Sequence, residues 1–139
     1  MPHPPTYETF EHGADIGVRG IGRSLEEALA MAAKAMFSLM VDNVENVPAS
    51  IQVKIQVEGF DMESLLLAWL NQLLAEADIG GLVFSEFSVS LNGWTLRGTA
   101  AGSDFSGRDP GVEVKAATYS EAVVSESDGI WTAQCVVDV

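Results

Sequence analysis

The residues best suited to chemistry stand at opposite ends of the sequence. Asp15 lies in Glu11-His12-Gly13-Ala14-Asp15-Ile16-Gly17, between glycines that let backbone or a ligand come close. The chain closes with Val136-Val137-Asp138-Val139, which puts a side-chain carboxylate and an α-carboxylate one residue apart. Two anions held that close repel. A hard divalent cation relieves the repulsion, and calcium accepts several carboxylate and carbonyl oxygens. Asp15 supplies a third anionic ligand if its segment lies beside the last strand. Local sequence by itself favours the plainer roles, an Asx turn for Asp15 and a solvated chain end for Asp138 and Val139.

Other reactive side chains are sparse. His12 precedes Asp15 and could serve as ligand or acid–base group, but a single histidine without a nearby Cys or His partner is weak for zinc. Lys115, in Glu113-Val-Lys-Ala-Ala-Thr-Tyr119, is one of only seven basic residues; it is either a plain exposed lysine or the neutraliser of a carboxylate or a partner contact. Cys135 sits in an apolar strand-like run and reads as a buried inert thiol. Gly102 to Arg108 has the look of a phosphate loop but lacks the Gly-Lys-Ser/Thr ending, so nucleotide binding is not expected there. Neither a Gly-x-Ser-x-Gly elbow nor a Cys–His nucleophile pair is present.

These residues need elements to hold them. Residues 1–6, with prolines at 2, 4 and 5, form a loose lead-in. Tyr7 to Phe10 and residues 15–22 read as strands. Ser24-Leu-Glu-Glu27 is a capping box that opens a helix to about Val41, with Leu25, Ala28, Leu29, Ala32, Met36, Leu39 and Met40 at helical spacing. That stripe reads as core rather than as a partner face. Residues 50–58 alternate as a half-buried strand. Asp61 caps a second helix to about Ala77, stopped by Gly80-Gly81. Leu82 to Leu91 and Trp94 to Ala101 form a hairpin across Asn92-Gly93, and Val112 to Ser125 and Ile130 to Val139 form another across Asp128-Gly129. The order ββαβαββββ predicts a single α+β domain, residues 1–139, with two helices packed on a mostly antiparallel sheet.

The chain carries 20 acidic and 7 basic residues, a net charge of −13. Phosphate backbones are gripped by clustered basic side chains, and here they are few and scattered, so direct nucleic-acid binding is not expected. A basic protein partner or a divalent cation suits this charge, although acidity also serves plain solubility. The most apolar stretch, Leu65 to Phe84, is interrupted by Asn71, Gln72, Glu76 and Asp78 and cannot span a membrane. No basic-then-apolar leader opens the sequence. A soluble cytoplasmic protein is the expectation; its oligomeric state is not legible.

Together these stretches resemble the archease family over residues 7 to 139. The resemblance rests on Phe10 to Ala28, similar to a family opening with His-Thr-Ala-Asp, on Glu63 to Leu74, and on Glu113 to Tyr119 followed by the Val-Val-Asp138-Val139 ending. It implies a non-enzymatic cofactor of RtcB-type RNA ligases, which join RNA ends in tRNA splicing and RNA repair. Archeases promote guanylylation of the ligase's active-site histidine and support multiple turnover. The resemblance places a metal, usually calcium, on Asp15, Asp138 and Val139, and makes Lys115 a functional residue near it. Two positions depart from the pattern: Gly13 replaces a usual threonine, which would loosen the turn before Asp15, and Ser120 stands where many members have histidine. Two rival readings remain. One is a chaperone-like module for another RNA-processing enzyme, such as a tRNA methyltransferase. The other is a small metal-dependent hydrolase with His12 as general base.

Overall fold

The computed structural model describes residues 3–139. Thr6–His12 (β1) and Asp15–Gly22 (β2) form a hairpin, so strand begins within the expected lead-in at Thr6; Met1 and Pro2 lie outside the described residues. Leu25–Met40 (α1), Ile51–Glu58 (β3) and Met62–Gly80 (α2) follow. Leu82–Asn92 (β4) and Thr95–Asp104 (β5) make the second hairpin, and Ala116–Ala117 (β6), Val123–Ser127 (β7) and Ile130–Asp138 (β8) complete the chain. The architecture is α+β with antiparallel pairing throughout.

The helices do not rest on one sheet as expected. The strands divide into a five-stranded sheet, β1-β2-β8 with β6 and β7 both on the far edge of β8, and a three-stranded sheet, β3-β5-β4. Both helices contact strands of each sheet and form a layer between them. The reason is legible in α1, where Ala28, Leu29, Ala30, Ala32, Ala33, Ala35, Met36 and Phe37 are all buried. A helix that is apolar nearly all round must be enclosed, not laid on a surface. Met36 is fully buried, which makes the methionine stripe core. Gly20 on β2 brings sheet and helix together, because a Cβ there would run into the α1 backbone at Ala28 and Ala32.

Local signals explain the element ends. Ser24 Oγ accepts from Glu27 N–H at 3.1 Å. Glu27 reaches back one residue farther than the capping-box pattern asks, accepting from Arg23 N–H at 2.8 Å. Asp61 caps α2 with a reciprocal partner absent from the sequence reading: Asp61 Oδ1 accepts from Ser64 N–H, and Ser64 Oγ accepts from Asp61 N–H. Gly81, at φ +64°, ends α2. The β7–β8 turn has Asp128 and Gly129 both at positive φ, as an Asp-Gly turn should. The β4–β5 turn differs: Asn92 pairs with Thr95 as the last residue of β4, and the turn centres on Gly93-Trp94 with only Gly93 at positive φ. Residues 112–115 are not strand. They run beside the end of α1, held by Gly111 N–H to Met40 O and Val112 N–H to Leu39 O, and between residue 112 and β7 only Ala116 and Ala117 join the sheet.

Candidate functional site

Pairing of β2 with β8 unites the two ends of the sequence. Ile16 lies opposite Val137, so Asp15 and Val139 meet just beyond that pair. Asp15 Oδ1 accepts from the Val139 backbone N–H at 3.4 Å, and Asp15 is half-buried. Asp138 is exposed, while its carbonyl accepts from Lys115 N–H at 2.8 Å, which lays the Lys115 backbone against the strand end. Asp15, Lys115, Asp138 and Val139 therefore share one corner of the molecule.

A residue that sequence reasoning passed over holds this corner from α2. The Asn71 side-chain amide donates to Ala117 O at 3.2 Å and accepts from Ala117 N–H at 2.9 Å. It imitates a neighbouring strand residue and fixes β6, and β6 in turn pairs Ala116 with Asp138 and Ala117 with Val137. Asn71 is itself exposed, so its own segment gave no sign of this role. The kink from Thr118 to Ala122 continues the bracing: Thr118 N–H and Oγ1 both donate to Val136 O, and Val136 N–H donates to Ser120 O. Ser120 thus contributes backbone here.

His12 sits across the β1–β2 turn from Asp15 but turns to Glu121, with Nε2 at 3.8 Å from Glu121 Oε1. Gly13 has φ +60° and an open surrounding, so glycine fits this turn rather than loosening it. Gly13→Thr is expected to destabilise this chain by about 1–2 kcal/mol, the cost of a left-handed conformation for a residue with a Cβ. A lowered urea midpoint at unchanged m value would measure it. Gly17 leaves no room for a ligand: the Phe10 ring occupies the space its Cβ would need, with Arg19 stacked 4.6 Å over that ring. Cys135 is buried, and burial pushes its thiol up to about 12, so it is inert as a nucleophile.

The donor set fits a calcium-like ion in chemistry: two side-chain carboxylates, an α-carboxylate and adjacent carbonyls are all hard oxygen donors. Among the described residues no three Cys, His, Asp or Glu side chains gather as a metal cage, so Asp15 and Asp138 would need further oxygen donors to complete such a site.

Residues 7–139 match the model of the archease protein family. The chain belongs to the archease family. An archease of Pyrococcus furiosus is 43% identical over 96% of this chain and 98% of its own length. The solution structure of a Methanobacterium thermoautotrophicum protein, 33% identical, superposes with a TM-score of 0.85 over 97% of this chain and 99% of that one. The crystal structure of a Thermotoga maritima archease, described as a possible chaperone, shares the fold at 20% identity and a TM-score of 0.64, covering 100% of this chain and 98% of that one. The α+β fold expected from the sequence is thus that of the archease family. Among the described residues no helix is long and apolar enough to cross a membrane.

Proposed function

We propose that this archease is a cytoplasmic, non-enzymatic activator of an RtcB-type RNA ligase in tRNA splicing or RNA repair, promoting guanylylation of the ligase histidine and multiple turnover. The observation that carries the reading is the corner itself: in a chain 43% identical to an archease, β2–β8 pairing brings Asp15 to 3.4 Å from Val139 N–H, beside Asp138. Asp15, Asp138 and the Val139 carboxylate would hold a divalent cation, calcium by donor chemistry. When bound, the ion supplies positive charge that offsets the clustered carboxylates.

The chain's own residues do the rest. Asp15 and the β6–β8 pairing fix the corner, and Lys115 stands exposed beside Asp138 to meet the partner. An activator shifts an equilibrium only by preferring one state of its target, so the corner must favour the guanylylation-competent ligase. The charge of −13 steers association toward a basic cleft. A hydrolase role is disfavoured by His12, which faces Glu121 rather than the carboxylate corner.

Labelled GTP and excess substrate RNA, with catalytic amounts of the cognate ligase, provide the test. The native chain should raise guanylylated ligase and product turnover on the order of tenfold or more. Asp15→Asn should abolish the gain while remaining folded, because an amide oxygen still accepts from Val139 N–H. An active ligase indifferent to the native chain would remove the activator reading, and suppressed aggregation of a client enzyme would then favour the chaperone one.

A further inference from the structure

Away from the Asp15 corner, two exposed aromatic side chains stand at the start of α2 and in the β4–β5 turn. Phe60 is 77% exposed and Trp94 is 49% exposed, whereas Trp69 is fully buried. Their backbones are joined, since Gly59 N–H donates to Trp94 O at 2.9 Å. Both are rigidly held: Phe60 N–H donates to Ser64 Oγ at 2.9 Å within the α2 cap, and Trp94 sits in the tight β4–β5 turn.

Folding does not account for this exposure. Phe60 precedes the helix cap Asp61, where an apolar side chain usually folds back onto the residue four into the helix. That residue, Leu65, is already covered, and Gly59 lies so close that a Cβ there would stand 2.9 Å from the Leu65 Cβ. Phe60 is therefore free of the staple and turned to solvent. Such aromatics, fixed on rigid backbone, contribute most to binding when a partner desolvates them.

The charge around them selects the partner. Glu58 and Asp61 flank Phe60, and the three ion pairs among the described residues lie elsewhere. Arg97, the basic residue on the adjoining row of the sheet, is bonded to Gln56 at 3.1 Å. Carboxylates beside exposed aromatic faces fit guanidinium groups, which pair with the one and stack on the other. Phosphate backbones and a second copy of this acidic chain would both be repelled.

Resting on the ligase reading above, we infer that the Phe60–Trp94 end is a second docking surface, which seats an arginine-bearing patch of the ligase away from its catalytic centre. The two ends are far apart. Glu63 Oε2 accepts from Val124 N–H, Val124 pairs with Ala133, and from Ala133 to Val139 the chain advances about 20 Å at ~3.3 Å per strand residue. One end anchors and the other acts.

The test titrates the purified cognate ligase with the native chain, with Phe60→Ala/Trp94→Ala, and with Glu58→Lys, by calorimetry and by association kinetics at low and moderate salt. Both aromatics are exposed, so the double variant should keep the native melting temperature and the native calcium titration. Its affinity for the ligase should fall roughly tenfold or more, and Glu58→Lys should slow association most at low salt. Native-like affinity in the folded double variant, within twofold, would overturn the inference while leaving the activator reading intact. No binding of the native chain to an active ligase would remove both. A native dimer that the double variant turns into monomer by light scattering would assign the surface to self-association and overturn the proposal.

Discussion

Trp69→Ala is expected to lower the unfolding free energy by about 3–5 kcal/mol, the range for removing a large buried aromatic. Trp69 is fully buried on α2, its ring meets Phe87 edge-on with centroids 6.3 Å apart, and its Nε1 donates to Leu29 O on α1 at 3.0 Å. It therefore ties both helices to the three-stranded sheet. Gly98 on β5 is shaped to it, because a Cβ there would come within 2.6 Å of the indole ring. Alanine would leave a cavity at the junction of three elements and take a second donor from the Leu29 carbonyl. With an unfolding entropy of roughly 2.1 cal/mol/K per residue, the melting temperature should drop by roughly 10–17 °C. Trp69→Phe, which keeps most of the volume and loses the hydrogen bond, should cost clearly less. Equal losses in the two variants would mean that the indole N–H, rather than packing, carries the effect.

Calcium in hundredfold excess over its dissociation constant is expected to stabilise the native chain by about 2.7 kcal/mol, since an ion that binds only the folded state adds RT ln(1 + [L]/Kd). On the same entropy scale that is roughly 9 °C in melting temperature, reversed by a chelator. Asp15 and Asp138 would offer the ion hard oxygen donors within a chain of net charge −13. Asp15→Asn should erase the calcium response while itself melting near the native apo protein, because the acceptor for Val139 N–H survives. Paired calorimetric scans with calcium and with chelator read both outcomes. A response unchanged in Asp15→Asn would place the ion elsewhere, and no response in the native chain would remove the metal from the proposal.

The sequence disclosed those features governed by neighbours in the chain. Ser24, Asp61, Gly81 and Asp128-Gly129 mark element ends because capping and turn chemistry is local. Alternation and helical spacing found the strands and helices, though the Asn92-Gly93 turn slipped by one residue because Gly93 alone needed positive φ. The division into two sheets was hidden, since strand partners are chosen by long-range packing, although the nearly all-apolar α1 was a clue that it would be enclosed. In the candidate site, the acidic residues at both ends were visible, but their meeting depended on β2 pairing with β8. The Asn71 amide and the Glu63–Val124 bond were invisible for the same reason: a helix side chain that bonds a distant backbone leaves no pattern in its own segment.

The position of β8 between β2 and the β6–β7 edge has a kinetic consequence. Ile16 must find Val137, so the pair that closes the five-stranded sheet is separated by almost the whole sequence. Contacts of that range are slow to form, because chain closure costs entropy before pairing returns it. Until β8 docks, the β1–β2 hairpin and α1 leave one strand edge of β2 open, the kind of surface on which unfinished chains associate. Insertion of β8 both covers that edge and brings Val139 to Asp15, so the corner is completed in the same event that closes the open side of β2.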